Sequence, residues 1–100
     1  MNHEIVVPPR VELQIAEIDL WWRTNREKAP NLFEEELAAA FQTISLTPRA
    51  GRRYPNPNYP AARRVILRAT RFHVYYVEDE GKIVLLSVWG AIKGVGPELC

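Results

Sequence analysis

The 100-residue sequence predicts an α+β fold: a short N-terminal strand, an antiparallel helical hairpin, then a three-stranded antiparallel meander. Two observations carry that expectation. In the first half, apolar residues recur twice with helical period. In the second half, three β-branched and aromatic segments alternate along their length and are joined by connections short enough for hairpins.

Taken in order, Glu4 to Val7 read as a strand that Pro8-Pro9 stops. From Arg10 the period changes: Val11, Ile15, Ile18 and Trp22 fall on one helical face, and Leu13, Ala16 and Leu20 are expected to widen it. Glu12, Gln14, Glu17, Asp19 and Arg23 take the remaining surface, and the helix should end at 23–25. Phe33, Leu37, Ala40, Phe41 and Ile44 mark the second helix, with Glu34 to Glu36 near its positive end. Either Asn25 caps it or Pro30 occupies its first turn, and Pro48 ends it. Residues 49–62, with Gly51, Pro55, Pro57 and Pro60, are expected to form neither helix nor strand. Strands follow at Arg64 to Ala69, Phe72 to Val77 and Ile83 to Trp89, with Glu78-Asp79-Glu80-Gly81 as the last hairpin loop.

The composition bounds what such a chain does. One domain spanning residues 1–100 is expected, since the length leaves no room for a second core. Hydrophobic residues at 47% and charged residues at 25% suit a globule and not a disordered tail. No apolar run approaches bilayer length, and Met1 to Glu4 do not open a secretory signal, so the cytoplasm is the expected compartment. The single cysteine, Cys100, forms no internal disulfide. No metal-ligand spacing and no glycine-rich phosphate loop stand out, so no cofactor is expected. Nor is there a helix-turn-helix with a basic recognition helix, which argues against sequence-specific DNA binding.

The net charge of +1 hides an uneven distribution. Arg49, Arg52, Arg53, Arg63, Arg64, Arg68 and Arg71 are seven of the thirteen basic residues, and no Asp or Glu lies between Pro48 and Val77. A segment of one sign asks for a partner of the other. Arg64, Ile66 and Arg68 should share one face of their strand, offering a cationic patch to an acidic partner or to phosphate; salt bridges to Glu78 to Glu80 are the plainer alternative. His73 is read as a structural histidine. Tyr75 and Tyr76 point to opposite faces, so at most one is core. Of Trp21 and Trp22, one belongs to the core and the other to the rim, where it is a candidate for partner contact. Trp89 is expected in the core, and the three glutamates on a solvated helix start.

Several of these segments resemble the ParE/RelE superfamily of bacterial type II toxins. Ile15-Ala16-Glu17-Ile18-Asp19-Leu20-Trp21-Trp22 resembles the first-helix signature, and Leu46-Thr47-Pro48-Arg49-Ala50-Gly51 the family's Pro-x-x-Gly exit. Arg64-Val65-Ile66-Leu67-Arg68 with Phe72-His73-Val74-Tyr75-Tyr76-Val77 is similar to the central hairpin, and Ile83 to Trp89 to the last strand. The likeness runs from about Ile5 to Ala91. Trp89-Gly90-Ala91-Ile92-Lys93 has Gly90 where many ParE-like proteins carry a histidine, and no tyrosine follows Tyr76, where RelE-like ribonucleases place one near the C-terminus. The resemblance therefore implies a ParE-like toxin that inhibits DNA gyrase by binding and is neutralised by a cognate antitoxin. It leaves as alternatives a RelE-like ribosome-dependent endoribonuclease and a non-toxic antitoxin-binding scaffold. It implies Arg64, Arg68, Arg71, Trp89 and Lys93 as antitoxin- or target-binding residues.

Overall fold

The computed structural model describes residues 2–90. Strand β1 is Glu4–Val6, and helix α1, Pro9–Asn25, starts directly after it. Pro9 lacks only an amide that no helix uses at its first position, while the Pro8 carbonyl accepts from the Val11 and Glu12 amides at 2.9 Å. Helix α2 is Leu32–Leu46. Its start lies later than either expected position, because residues 26–31 form a separate tied loop. The buried Trp22 donates Nε1–H to the Ala29 carbonyl at 2.8 Å, and Arg26 lies over both Trp21 and Trp22. Asn31 precedes α2 but does not cap it with its side chain, which accepts instead from Arg23.

After a single 3-10 turn, Pro48–Ala50, come β2 (Arg52–Arg53), β3 (Arg63–Leu67), β4 (Phe72–Asp79) and β5 (Lys82–Gly90). The expected meander is present as β3-β4-β5. It is extended on both sides into a mixed five-stranded sheet of order β1-β5-β4-β3-β2. β1 pairs parallel with β5, Ile5 opposite Ile83, so the helical hairpin with β2, β3 and β4 forms the crossover between them. β2 pairs antiparallel with β3 inside the stretch expected to hold no strand; two residues are too short to show alternation. The last hairpin turn is tighter than expected. Asp79 pairs with Lys82, leaving Glu80 and Gly81 as a two-residue turn with both φ positive, the twist that suits flanking strands.

The helices cover one face of the sheet. Val11, Trp22, Phe33, Leu37 and Ile44 pack with Leu67, Val74, Tyr76, Ile83, Leu85 and Val88, and Ile15, Ile18, Phe41 and Val65 close the edges. The alternation expected for β3 holds, with Val65 and Leu67 in this layer and Ile66 exposed. The width expected for α1 does not: Leu13, Ala16 and Leu20 face solvent, Leu20 with 69% of its surface exposed. The tryptophan pair divides as expected, Trp22 at 7% and Trp21 at 48% exposure.

The opposite face is covered as well. Tyr54 and Tyr59, from the proline-rich segment after β2, pack with Trp89 and Val77 over Ala62, Tyr75 and Leu86. Tyr75 and Tyr76 are therefore both buried, each on its own face, correcting the expectation that at most one is core. β1 reaches only Val84 of β5, and α1 serves the backbone beyond it. Arg10 donates to the Leu86 carbonyl at 2.8 Å, and Gln14 accepts from the Val88 amide at 3.0 Å.

Candidate functional site

The seven arginines do different things. Arg63 is structural, its guanidinium donating to the Gly51 carbonyl at 2.8 Å. Arg52, Arg64 and Arg68 line one groove of about 320 Å³ with Val65, Ile66, Ala50 and the α2 residues Ala40 and Thr43. Arg68 lies just past β3, in the turn and not on the strand as expected, yet still borders this groove. Among the described residues none of the three arginines has a carboxylate within ion-pair distance. The expected alternative, salt bridges to Glu78 to Glu80, is not formed among the described residues, and Glu78 lies instead 3.4 Å from His3 Nε2.

The groove follows a sheet edge. β2 covers β3 only at Arg63 and Arg64. The Ala62 carbonyl accepts from the Tyr54 amide on the β2 side, and the Arg64 carbonyl faces Gly51 on that same side. Strand backbone alternates, so Ile66 is the next residue to present its amide and carbonyl outward, past the end of β2. Its side chain is 47% exposed. Among the described residues the β3 edge is left here without a neighbour, bordered by guanidinium groups that have no carboxylate partner.

Behind Arg64 lies a polar and aromatic cluster. Arg64 stands opposite Tyr75, and Ile66 opposite His73, in the β3–β4 register. The guanidinium of Arg64 lies 5.4 Å above the Tyr54 ring, which meets Tyr75 edge-on at 4.8 Å. His73 Nδ1 is 3.3 Å from the Tyr75 hydroxyl. Burial raises the Tyr75 pKa, against the pull of Arg64, so the phenol keeps its proton. Burial, and then the Arg64 charge, lowers that of His73, which leaves a neutral imidazole at pH 7. The cluster thus holds a proton acceptor, a proton donor and one fixed positive charge. His73 and Tyr75 are two apart on β4 and so share a face by alternation; what the sequence does not show is that Tyr54 and Arg64 close over them.

Tyr76, by contrast, is fully engaged. Its hydroxyl donates to the Pro48 carbonyl at 2.7 Å and accepts from the Gly51 amide at 2.9 Å. A Cβ on Gly51 would stand 2.7 Å from that hydroxyl and 3.0 Å from the Arg64 carbonyl. The Pro-x-x-Gly exit is therefore a clamp: the turn presents one carbonyl and one amide to a single phenol, and only glycine leaves room for it.

Of the other expected site residues, Arg71 sits exposed in the β3–β4 turn with φ 69°, and it does not line the groove. Trp89 is half-buried among the aromatics behind β4, not in the helical core. Lys93 lies outside the described residues. Glu36, expected on a solvated helix face, accepts from the Ala69 amide at 2.8 Å and from the Thr70 amide and hydroxyl at 3.0 and 2.7 Å. It fixes the turn that carries Arg68 and Arg71. Among the described residues no cluster of three His, Cys, Asp or Glu could hold a metal, and no helix is long and apolar enough to cross a membrane.

The free form of the Escherichia coli toxin RelE, solved as a double arginine mutant, superposes with a TM-score of 0.59 over 92% of this chain and 86% of that one. The chain has the RelE fold. Identity to RelE is 16%, so the likeness reaches the architecture and not the chemistry. No protein-family model matches the sequence, and no curated protein matches it significantly.

Proposed function

We propose that this chain is the toxin half of a type II toxin–antitoxin pair, ParE-like in action. It inhibits DNA gyrase by binding it in the cytoplasm, and an acidic segment of its cognate antitoxin neutralises it by lying along the open β3 edge. The groove of Arg52, Arg64 and Arg68 around Ile66 is the observation that carries this reading. Three cations without carboxylate partners among the described residues, beside an exposed apolar side chain, favour an acidic strand over solvent, because the partner brings both the charges and the missing backbone hydrogen bonds. Binding is preferred to catalysis because Tyr76 is committed to its clamp and Tyr75 has only 2% of its surface exposed.

One observation favours a second reading. His73, Tyr75 and Arg64 hold a neutral base, a phenol and a charge in one cluster, the minimum for moving the proton of a ribose 2′-hydroxyl beside a phosphate. That would make the chain a RelE-like endoribonuclease. Controlled expression in bacteria without the antitoxin separates the two. A gyrase inhibitor induces the DNA-damage response without site-selective transcript cuts, and His73→Ala leaves its toxicity intact. A ribonuclease cuts transcripts and loses toxicity with His73. A scaffold that only binds antitoxin does neither.

A further inference from the structure

A second groove, of opposite charge, runs between the two helices. Val7, Ile15, Ala16, Phe33 and Leu37 line it, and Glu12, Asp19 and Glu34 rim it, enclosing about 470 Å³. Among the described residues two of these three carboxylates share one guanidinium and the third has none. Arg23 reaches Asp19 at 2.9 Å and Glu34 at 2.8 Å, and no cation answers Glu12 among the described residues. Asp19 also keeps unused acceptor capacity, since its buried Oδ1 has no donor among the described residues. Apolar surface continues out of the groove. Leu13, Ala16 and Leu20 stand at i, i+3 and i+7 on α1, all exposed, so Ala16 joins the groove to two large solvent-facing leucines.

We infer that this groove docks a basic amphipathic helix of a protein partner, its leucine-like seam over Ile15, Ala16 and Leu20 and its arginines or lysines against Glu12, Asp19 and Glu34. The charge excludes an acidic occupant. The backbone chemistry selects the helix: a cleft between two α-helices offers side chains only, so a buried occupant has to satisfy its own amides and carbonyls. The β3 edge offers the reverse, backbone groups between cations. The two surfaces therefore differ in sign and in the secondary structure that they accept. The inference does not depend on the toxin reading.

The test uses two synthetic amphipathic peptides of about 18 residues, long enough to hold a helix, with the same leucine seam and either arginine or glutamate flanks. The readout is methyl NMR of the full chain. The arginine peptide is expected to shift the Val7, Ile15 and Leu37 methyls, and the glutamate peptide to leave them unmoved. Leu20→Ser, at an exposed position that the fold does not use, and the double variant Glu12→Gln/Glu34→Gln should each weaken the arginine peptide by about tenfold or more. Equal binding of both peptides, shifts at Val65 and Ile66 instead, or no groove shifts at about 1 mM peptide would overturn the inference. So would groove methyls that move with protein concentration alone, since a second copy would then be the occupant.

Discussion

Replacing Tyr76 by phenylalanine removes one oxygen and nothing else, and the structure says what that oxygen holds. Its loss leaves the Pro48 carbonyl and the Gly51 amide without their partner at a position where residue 51 is buried. Each stranded group costs about 1–2 kcal/mol, so Tyr76→Phe is expected to destabilise the chain by about 2–4 kcal/mol. For a domain of this size that lowers Tm by on the order of 10–20 °C. Gly51→Ala attacks the clamp from the other side. Its Cβ would meet the phenol oxygen at 2.7 Å, the ring at 2.9 Å and the Arg64 carbonyl at 3.0 Å. Overpacking of that kind costs about 1–3 kcal/mol, and removing the hydroxyl relieves only part of it. Urea melts followed by tryptophan fluorescence on both single variants and the double variant give the coupling directly. A Tyr76→Phe cost below about 0.5 kcal/mol, well under one stranded group, would refute the claim that this hydroxyl organises the helix exit.

Other expectations follow from the same geometry. Glu36→Ala strands three donors in the β3–β4 turn and should cost about 2 kcal/mol in the same melts, with amide exchange accelerated at Ala69 and Thr70. His73 titrates below its ordinary 6.5, first from burial and then from Arg64, so Arg64→Ala should raise its pKa in an NMR titration without restoring it fully. A depressed histidine binds its proton less readily folded than unfolded. Its contribution to stability is therefore complete above about pH 6.5 and is lost as the pH falls below it, which urea midpoints across pH 5–8 will read. Arg64→Glu with Arg68→Glu should weaken antitoxin binding by more than about 2 kcal/mol, and calorimetry at moderate salt would show an unchanged Kd if the antitoxin docks elsewhere.

Much of the fold was legible because two elements bury a stripe and three bury a face, and both periods survive in the residues. Periodicity fixes the centre of a stripe better than its flanks, which is why Leu13, Ala16 and Leu20 were assigned to the core when they lie beyond it. The second sheet face was illegible for a different reason. Tyr54 and Tyr59 sit among prolines and asparagines that signal a loop, and nothing local says that the loop returns across Tyr75. The site was half legible. A run of arginines without acids announces a basic surface, but its division into Arg63 inside the fold, Arg52, Arg64 and Arg68 on a groove and Arg71 away from it depends on where β2 stops. The placing of Arg64 and Tyr54 over His73 and Tyr75 needs the β3–β4 register and the aromatic cover, and the Glu36 cap spans more than thirty residues of sequence.

The central proposal, a binding toxin aimed at DNA gyrase, is tested most directly by adding the purified chain to gyrase and relaxed plasmid and reading supercoiling and cleaved DNA on a gel. The account predicts that supercoiling falls or cleaved DNA accumulates with increasing chain, that His73→Ala does the same, and that the antitoxin reverses it. Unaltered gyrase, together with His73-dependent cutting of messenger RNA on translating ribosomes, would contradict it.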